Sequence, residues 1–78
     1  FSPNVRVNAI EPGAILTDAL EGFLTPDMKS GMIAATPLGR LGAIEDVANS
    51  ALFLASPASS WITGKIIQLD GGVEAPLW

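Results

Sequence analysis

The 78-residue sequence contains no cysteine, no histidine and no tyrosine. Without cysteine there is no disulfide framework, no thiol nucleophile and no cysteine-based zinc site. Without histidine the commonest general base and metal ligand is missing. Charge is scarce, at 15% of residues, where about 25% is ordinary for a soluble domain. Four scattered basic residues, Arg6, Lys29, Arg40 and Lys65, stand against eight acidic ones, for a net charge of −4. Nucleic-acid binding requires a clustered basic face, so that class of partner is excluded. Long apolar runs are lacking too: the longest, Ala51-Leu52-Phe53-Leu54-Ala55, has 5 residues against the roughly 20 that a membrane span requires. No membrane partner is expected.

What is present is apolar mass. Hydrophobic residues make up 49% and the 8 glycines add about 10%, well above the roughly 45–50% of an average domain. That excludes a disordered coil. It is also more than a chain of this length can hide, because small domains have the most surface per residue. The composition therefore predicts apolar faces covered by something outside this chain. The opening Phe1-Ser2-Pro3-Asn4 has neither an initiating Met nor a charged-then-apolar signal pattern, which carries the expectation that the chain is part of a longer one.

Two strands bracket two helical regions. Val5-Arg6-Val7-Asn8-Ala9-Ile10 alternates, with Val5, Val7 and Ala9 on one face, and Pro12-Gly13 stops it. Lys65 to Asp70 is the second strand, stopped by Gly71-Gly72, with Ile67 and Leu69 on its apolar face. Thr25-Pro26 is a helix start, Thr as N-cap and Pro in the first turn, and Met28, Met32 and Ile33 follow as a stripe read as core. A shorter helical turn over Asp18 to Phe23 precedes it. Ile44 to Ala55 is the better helix, with Glu45 and Asp46 at its positive end. Around Ala51–Ala55 it is apolar nearly all round, which predicts cover on more than one face. Ser56-Pro57 ends it and leads to Trp61, read as a packing residue, with a subunit contact as one possible setting. Strand, helices and strand in one chain predict a right-handed crossover between parallel neighbours. Two such strands cannot bury both faces and both edges alone.

Chemistry in an open parallel sheet gathers at the carboxyl ends of its strands. That places Pro12-Gly13-Ala14-Ile15-Leu16-Thr17 at the candidate position. A planar carboxamide, one acceptor and two donor hydrogens, suits paired backbone groups and the Thr17 hydroxyl. The alternative is an ordinary turn in which Thr17 caps the next helix. Asn8 reads as satisfying nearby backbone. Arg40 reads as a structural partner of a carboxylate or helix end, and Glu45 and Asp46 as helix N-terminal charges.

Arg6-Val7-Asn8-Ala9-Ile10-Glu11-Pro12-Gly13, then Thr17, Arg40-Leu41-Gly42 and Glu45-Asp46-Val47-Ala48, occur in this order. Leu52-Phe53-Leu54-Ala55-Ser56, Trp61-Ile62-Thr63-Gly64 and Asp70-Gly71-Gly72 continue the series. Together they resemble the C-terminal portion of the classical short-chain dehydrogenase/reductases, over Val5 to Gly72. Pro12 to Leu20 and Ser56 to Trp61 are most similar to the bacterial 7α-hydroxysteroid branch, whereas Asp70-Gly71-Gly72 fits the family at large better.

The resemblance implies an α/β fold, the last strand–helix–helix–strand portion of a Rossmann-type parallel sheet. Residues 1–78 would be a partial NAD(P)-binding domain. It implies a cofactor site at Gly13, Ile15, Leu16 and Thr17. Ile15 would meet the nicotinamide carboxamide through its backbone and Thr17 through its hydroxyl, with Leu16 between them and Gly13 shaping the turn. Residues 18–36 would cover the substrate, giving Leu20, Phe23, Leu24, Met28 and Met32 a substrate-facing role that competes with the core reading of the same stripe. The parent would be a cytoplasmic enzyme moving a hydride between NAD or NADP and an alcohol or carbonyl, a hydroxysteroid among the candidates.

The Gly-rich phosphate loop is absent, and the family's catalytic Ser, Tyr and Lys would lie upstream of Phe1. Lys65 is not in the catalytic position. No catalytic residue and no metal ligand is assigned, and the 78 residues alone are expected to be inactive, with weak or no cofactor binding. The implied partners are the remainder of the Rossmann domain or another copy of the chain, in a dimer or tetramer. A non-catalytic, self-associating module is the competing function.

Overall fold

Two short parallel strands organise the chain, which a computed structural model describes over residues 3–73. β1 (Ala9–Pro12) pairs with β2 (Ile66–Leu69) in the register Ala9 to Ile66, Ile10 to Ile67, Glu11 to Gln68 and Pro12 to Leu69. Ala9 N–H donates to Lys65 O at 2.8 Å, and Gly13 N–H donates to Leu69 O at 2.8 Å. The β2-facing donors are thus the odd-numbered residues, which turns the Pro12 nitrogen to the other edge, where its missing N–H costs this ladder nothing.

Both strands are shorter than the alternation predicts, and the first starts four residues late. The cause is side-chain competition for the backbone. Val7 N–H donates to Thr63 Oγ1 at 3.1 Å, and Asn8 Oδ1 takes the Lys65 N–H at 3.1 Å while Asn8 Nδ2 donates to Ile62 O at 3.0 Å. Asn8 therefore satisfies backbone, as expected.

Between the strands run α1 (Asp18–Phe23), α2 (Pro26–Ala34) and α3 (Ile44–Ala55). Thr17 and Thr25 cap the first two, their hydroxyls accepting from Leu20 N–H and Met28 N–H at 3.2 Å, which satisfies one orphan donor of each helix. A Lys29–Glu21 ion pair at 3.5 Å links the two helices. α3 begins without a capping side chain at Ala43, so Asp46 does that work from inside, accepting the Ala43 N–H at 2.7 Å. α3 lays Val47, Ser50 and Leu54, at helical spacing, toward the sheet.

The C-terminus of α3 is tied to the start of β1 by Arg6. Its guanidinium donates to Leu54 O (3.0 Å), Ser56 O (3.3 Å), Ile62 O (3.2 Å) and Ser59 Oγ (3.1 Å). Ser59, in a single 3₁₀ turn (Pro57–Ser59), is 1% exposed and donates on to Leu54 O at 2.9 Å. A fork of five donors at the negative end of a helix gains from both hydrogen bonding and the dipole.

The predicted excess of apolar surface is visible. Leu41 is the one buried hydrophobic residue among those described. The accessible area is 6023 Å², whereas a compact monomer of 8.1 kDa would show about 4,500 Å². The radius of gyration is 15.1 Å, against about 11.5 Å for a compact chain of this length.

Several apolar positions that the sequence marks for packing are left open within this chain. Trp61 does not pack: it is 100% exposed, because the 3₁₀ turn sends Ser59 inward and Trp61 out. α3 is covered on one face only, and Leu52 remains 70% exposed. Met28 is exposed rather than core, since α2 lies off the strands, and Met32 and Ile33 are half-buried. Val5 and Val7, the predicted apolar face, are also open. No helix among the described residues is long and apolar enough to cross a membrane.

Candidate functional site

The turn that leaves β1 is held by a second, isolated parallel bridge between Ile15 and Gly42. Gly42 N–H donates to Ala14 O at 2.9 Å, and Leu16 N–H donates to Gly42 O at 2.8 Å. Thr17 N–H then turns back to Ile15 O at 2.9 Å, an i to i+2 turn centred on Leu16. Sequence reasoning used Gly42 only as part of a motif; its pairing with Ile15 is what fixes the turn. The signal was the repeated Leu-Gly of Leu38-Gly39 and Leu41-Gly42.

Gly13 is required by space. A Cβ on it would lie 2.9 Å from Asp70 Cβ and 3.1 Å from Asp70 Cα, so the turn runs against the end of β2. Asp70, which sequence reasoning gave no role, closes that end by accepting the Gly72 N–H at 3.0 Å, a local Asx turn.

Leu16 N–H and Thr17 N–H are spent, whereas Ile15 N–H donates to no group among the described residues. Ile15 O accepts one bond and keeps a lone pair, and Thr17 Oγ1, with its cap bond accepted, keeps its proton. One free N–H, one carbonyl with spare capacity and one hydroxyl proton therefore sit within three residues at the carboxyl end of a parallel strand.

The side chains around this turn diverge. Gly13 borders a cavity of about 380 Å³ with Pro12, Met32, Thr36 and Asp70. Ile15 faces one of about 170 Å³ with Thr36, Arg40, Leu69 and Gly71. Leu16 looks the other way, toward Lys29, Ile33 and Leu41 around a space of about 370 Å³. The structure thus gathers Gly13, Ile15, Leu16 and Thr17 by backbone, while Gly13, Ile15 and Leu16 each border a different one of these three cavities.

Behind the turn, Arg40 forks onto Asp46, with bonds of 2.8 and 3.1 Å, and also donates to Leu41 O at 3.0 Å. The guanidinium, with help from the Ala43 N–H, holds the Asp46 carboxyl at about 2, well below the ordinary range, and Asp46 in turn raises Arg40. This is the structural ion pair expected of Arg40, and it locks the Gly39–Ala43 loop to α3. Among the described residues no group of three or more acidic, His or Cys side chains could hold a metal ion.

A parallel strand, a turn with open backbone groups at its carboxyl end, a helical excursion and a returning helix and strand define a Rossmann-type portion. The chain belongs to the short-chain dehydrogenase/reductase family, and the family model described as enoyl-(acyl carrier protein) reductase matches residues 1–74.

Among relatives, it is 55% identical over 69 residues to the 7α-hydroxysteroid dehydrogenase of Escherichia coli K12, covering 88% of this chain and 27% of that protein. It is 49% identical over 72 residues to the 3-oxoacyl-(acyl-carrier-protein) reductase of Chlamydia muridarum, covering 92% and 29%. A solved structure of 7α-hydroxysteroid dehydrogenase complexed with NADH and 7-oxo glycochenodeoxycholic acid superposes with a TM-score of 0.81 at 54% identity, covering 90% of this chain and 28% of that one. The chain therefore spans less than a third of the length of the relatives it matches.

Proposed function

We propose that residues 1–78 act as the C-terminal part of an NAD(P)-dependent oxidoreductase that moves a hydride between a nicotinamide cofactor and an alcohol or carbonyl of the hydroxysteroid class. The observation that carries this is the open donor and acceptor set of Ile15 and Thr17 at the strand end, complementary to a carboxamide. The 55% identity to a 7α-hydroxysteroid dehydrogenase supports the substrate class. A soluble, cytoplasmic setting goes with it.

In this assignment the Ile15 N–H and the Thr17 hydroxyl would donate to the carboxamide oxygen, and Ile15 O would accept from its amide N–H. Gly13 lets the chain pass close to Asp70 so that these groups stand at the sheet end. Leu16, its N–H held by Gly42, stiffens the turn and shields it from water on the α2 side. The nicotinamide, when bound, supplies the hydride chemistry. The chain itself supplies orientation, since it holds no Tyr and no His to move a proton. The proton donor comes from chain outside these residues, and residues 18–36 lie over the substrate.

The test is a chimera in which residues 3–73 replace the matching segment of the Escherichia coli enzyme. Hydride transfer from NADH to 7-oxo glycochenodeoxycholic acid should be retained, and Thr17→Val should weaken NADH binding about tenfold, the worth of one good hydrogen bond. A folded chimera that binds the cofactor equally well with and without the hydroxyl would overturn the site. The 78-residue chain alone should bind NADH weakly or not at all, and should not turn over.

One observation favours a second reading, a self-associating module without catalysis. Val5, Val7, Leu52, Ile66 and Trp61 are all exposed, more apolar surface than a monomer normally shows. The occupant is either the rest of a Rossmann domain or a second copy. Sedimentation at micromolar concentration separates them: a well-folded monomer excludes the module.

A further inference from the structure

The α1–α2 segment has two ends, and the structure treats them differently from its middle. At the far end, Thr36 is 8% exposed, and its hydroxyl donates to Met32 O at 2.7 Å, closing the last turn of α2. Gly39 N–H donates to Thr36 O at 2.8 Å, and Leu38 N–H reaches Gly71 O at 3.1 Å. Gly71 and Gly72 both have left-handed backbones, with φ of 65° and 89°. Space is filled on both. A Cβ on Gly71 would lie 2.7 Å from Thr36 Cγ2, and one on Gly72 would lie 3.3 Å from Pro37 Cβ and Cγ.

Two other left-handed glycines, Gly39 and Gly64, have φ of 75° and 69° and nothing within 4 Å of a Cβ. Left-handed backbone is thus common to all four, and the close approach belongs to the pair after β2. Backbone conformation alone would ask for glycine at each position; only at Gly71 and Gly72 does a neighbour ask for it as well.

We infer that Gly71 and Gly72, with Thr36 and Pro37 seated on them, form the fixed foot of the α1–α2 segment and thereby set the affinity for substrate. They are positioning residues, acting through the placement of α2. This rests on residues 18–36 covering the substrate, as proposed above. The geometry has a reason to matter there: Thr36 borders both the 170 Å³ cavity behind Ile15 and the 380 Å³ cavity beside Gly13 and Met32. A displacement of Thr36 therefore moves the wall shared by the turn and α2. The other end is pinned independently, by the Ile15–Gly42 bridge and the Thr17 cap.

The experiment has two arms. In the 78-residue chain, trypsin cleavage after Lys29 reports the hold on α2. Gly71→Ala should speed it about tenfold, Gly64→Ala, with the same backbone demand and no neighbour, should leave it unchanged, and Thr36→Ser on top of Gly71→Ala should restore it to within about twofold. The serine keeps the hydroxyl bond to Met32 O and removes the colliding methyl. Where Gly71→Ala does not fold, Gly72→Ala, a milder contact against Pro37, should show the same direction. Equal cleavage in Gly71→Ala and Gly64→Ala, or no rescue by serine, overturns the foot whatever the activity.

In the chimera, Gly71→Ala should raise the steroid KM about tenfold with kcat within twofold, and Thr36→Ser should bring it back. A fall in kcat with an unmoved steroid KM overturns the link to substrate affinity. A chimera without hydride transfer overturns the functional reading, and the Lys29 arm still decides the foot.

Discussion

Replacing Arg6 by Met keeps the length and the apolar stem of the side chain and removes only its donors. Four acceptors lose a bond: Leu54 O, Ser56 O, Ile62 O and Ser59 Oγ. Bonds from a charged donor are worth about 1.5–3 kcal/mol each in favourable cases, so a simple sum would be large. The structure limits it. Ile62 O keeps the Asn8 amide, and the single Ser59 proton can still serve either Leu54 O or Ser56 O. Ser56 O also keeps the Ser59 N–H at 3.2 Å, so none of these carbonyls is left without a donor. What is lost is the charged character of the bonds and the favourable charge at the negative end of α3, the latter worth up to about 1 kcal/mol.

Arg6→Met should therefore cost about 1–2 kcal/mol. With an m-value near 1 kcal/mol/M for so short a chain, the urea midpoint followed by circular dichroism at 222 nm should fall by about 1–2 M, or the chain should be unfolded in buffer. Arg6→Lys should keep roughly half of the effect, because an ammonium can serve one pair of carbonyls but cannot fork across both. A loss below about 0.5 kcal/mol for the Met variant, or equal losses for Met and Lys, would refute the account of Arg6 as the clasp between β1 and α3.

Asp46 titrates at about 2 in the folded chain, against about 3.9 when unfolded. Its stabilisation is therefore complete above about pH 4 and is lost as pH falls through 2, so the carboxyl resonance followed by NMR should move only near pH 2, and in Arg40→Gln it should move back toward pH 4. Gly13→Ala should cost about 1–3 kcal/mol from its collision with Asp70. Gly31→Ala, in mid-α2 with nothing within 4 Å, should instead gain about 0.5–1 kcal/mol, both measured by urea titration. Thr25→Ala should remove the α2 cap and cost about 1 kcal/mol, read as loss of helical ellipticity.

The helices were legible because their start signals are local. Thr17, Thr25 and Pro26 act within three residues of themselves, and each stands where the caps of α1 and α2 are found. The parallel pairing followed from connectivity, and the turn after β1 followed from Pro12-Gly13. Strand limits were not legible, since they depend on Thr63 and Asn8 taking backbone partners more than 50 residues away. The burial of Met28 was misjudged for a related reason. Apolar spacing reports which face could be covered, and says nothing of whether the cover belongs to the same chain. Within the turn, Ile15 and Thr17 could be named from the resemblance, yet the free Ile15 N–H emerges only once Gly42 is seen to occupy its neighbours.

Asn8 also acts as an alignment key. Its amide reads two points on the returning chain at once, a carbonyl at Ile62 and an N–H at Lys65, and the two bonds fix which end of the amide is oxygen. Sliding the returning strand by one residue would take both the Ile62 carbonyl and the Lys65 N–H out of reach of the amide. The same slide would exchange the Ile67 and Leu69 side of the sheet for the Ile66 and Gln68 side. A four-residue ladder carries little information about alignment on its own, so here a single amide just ahead of it selects the correct one.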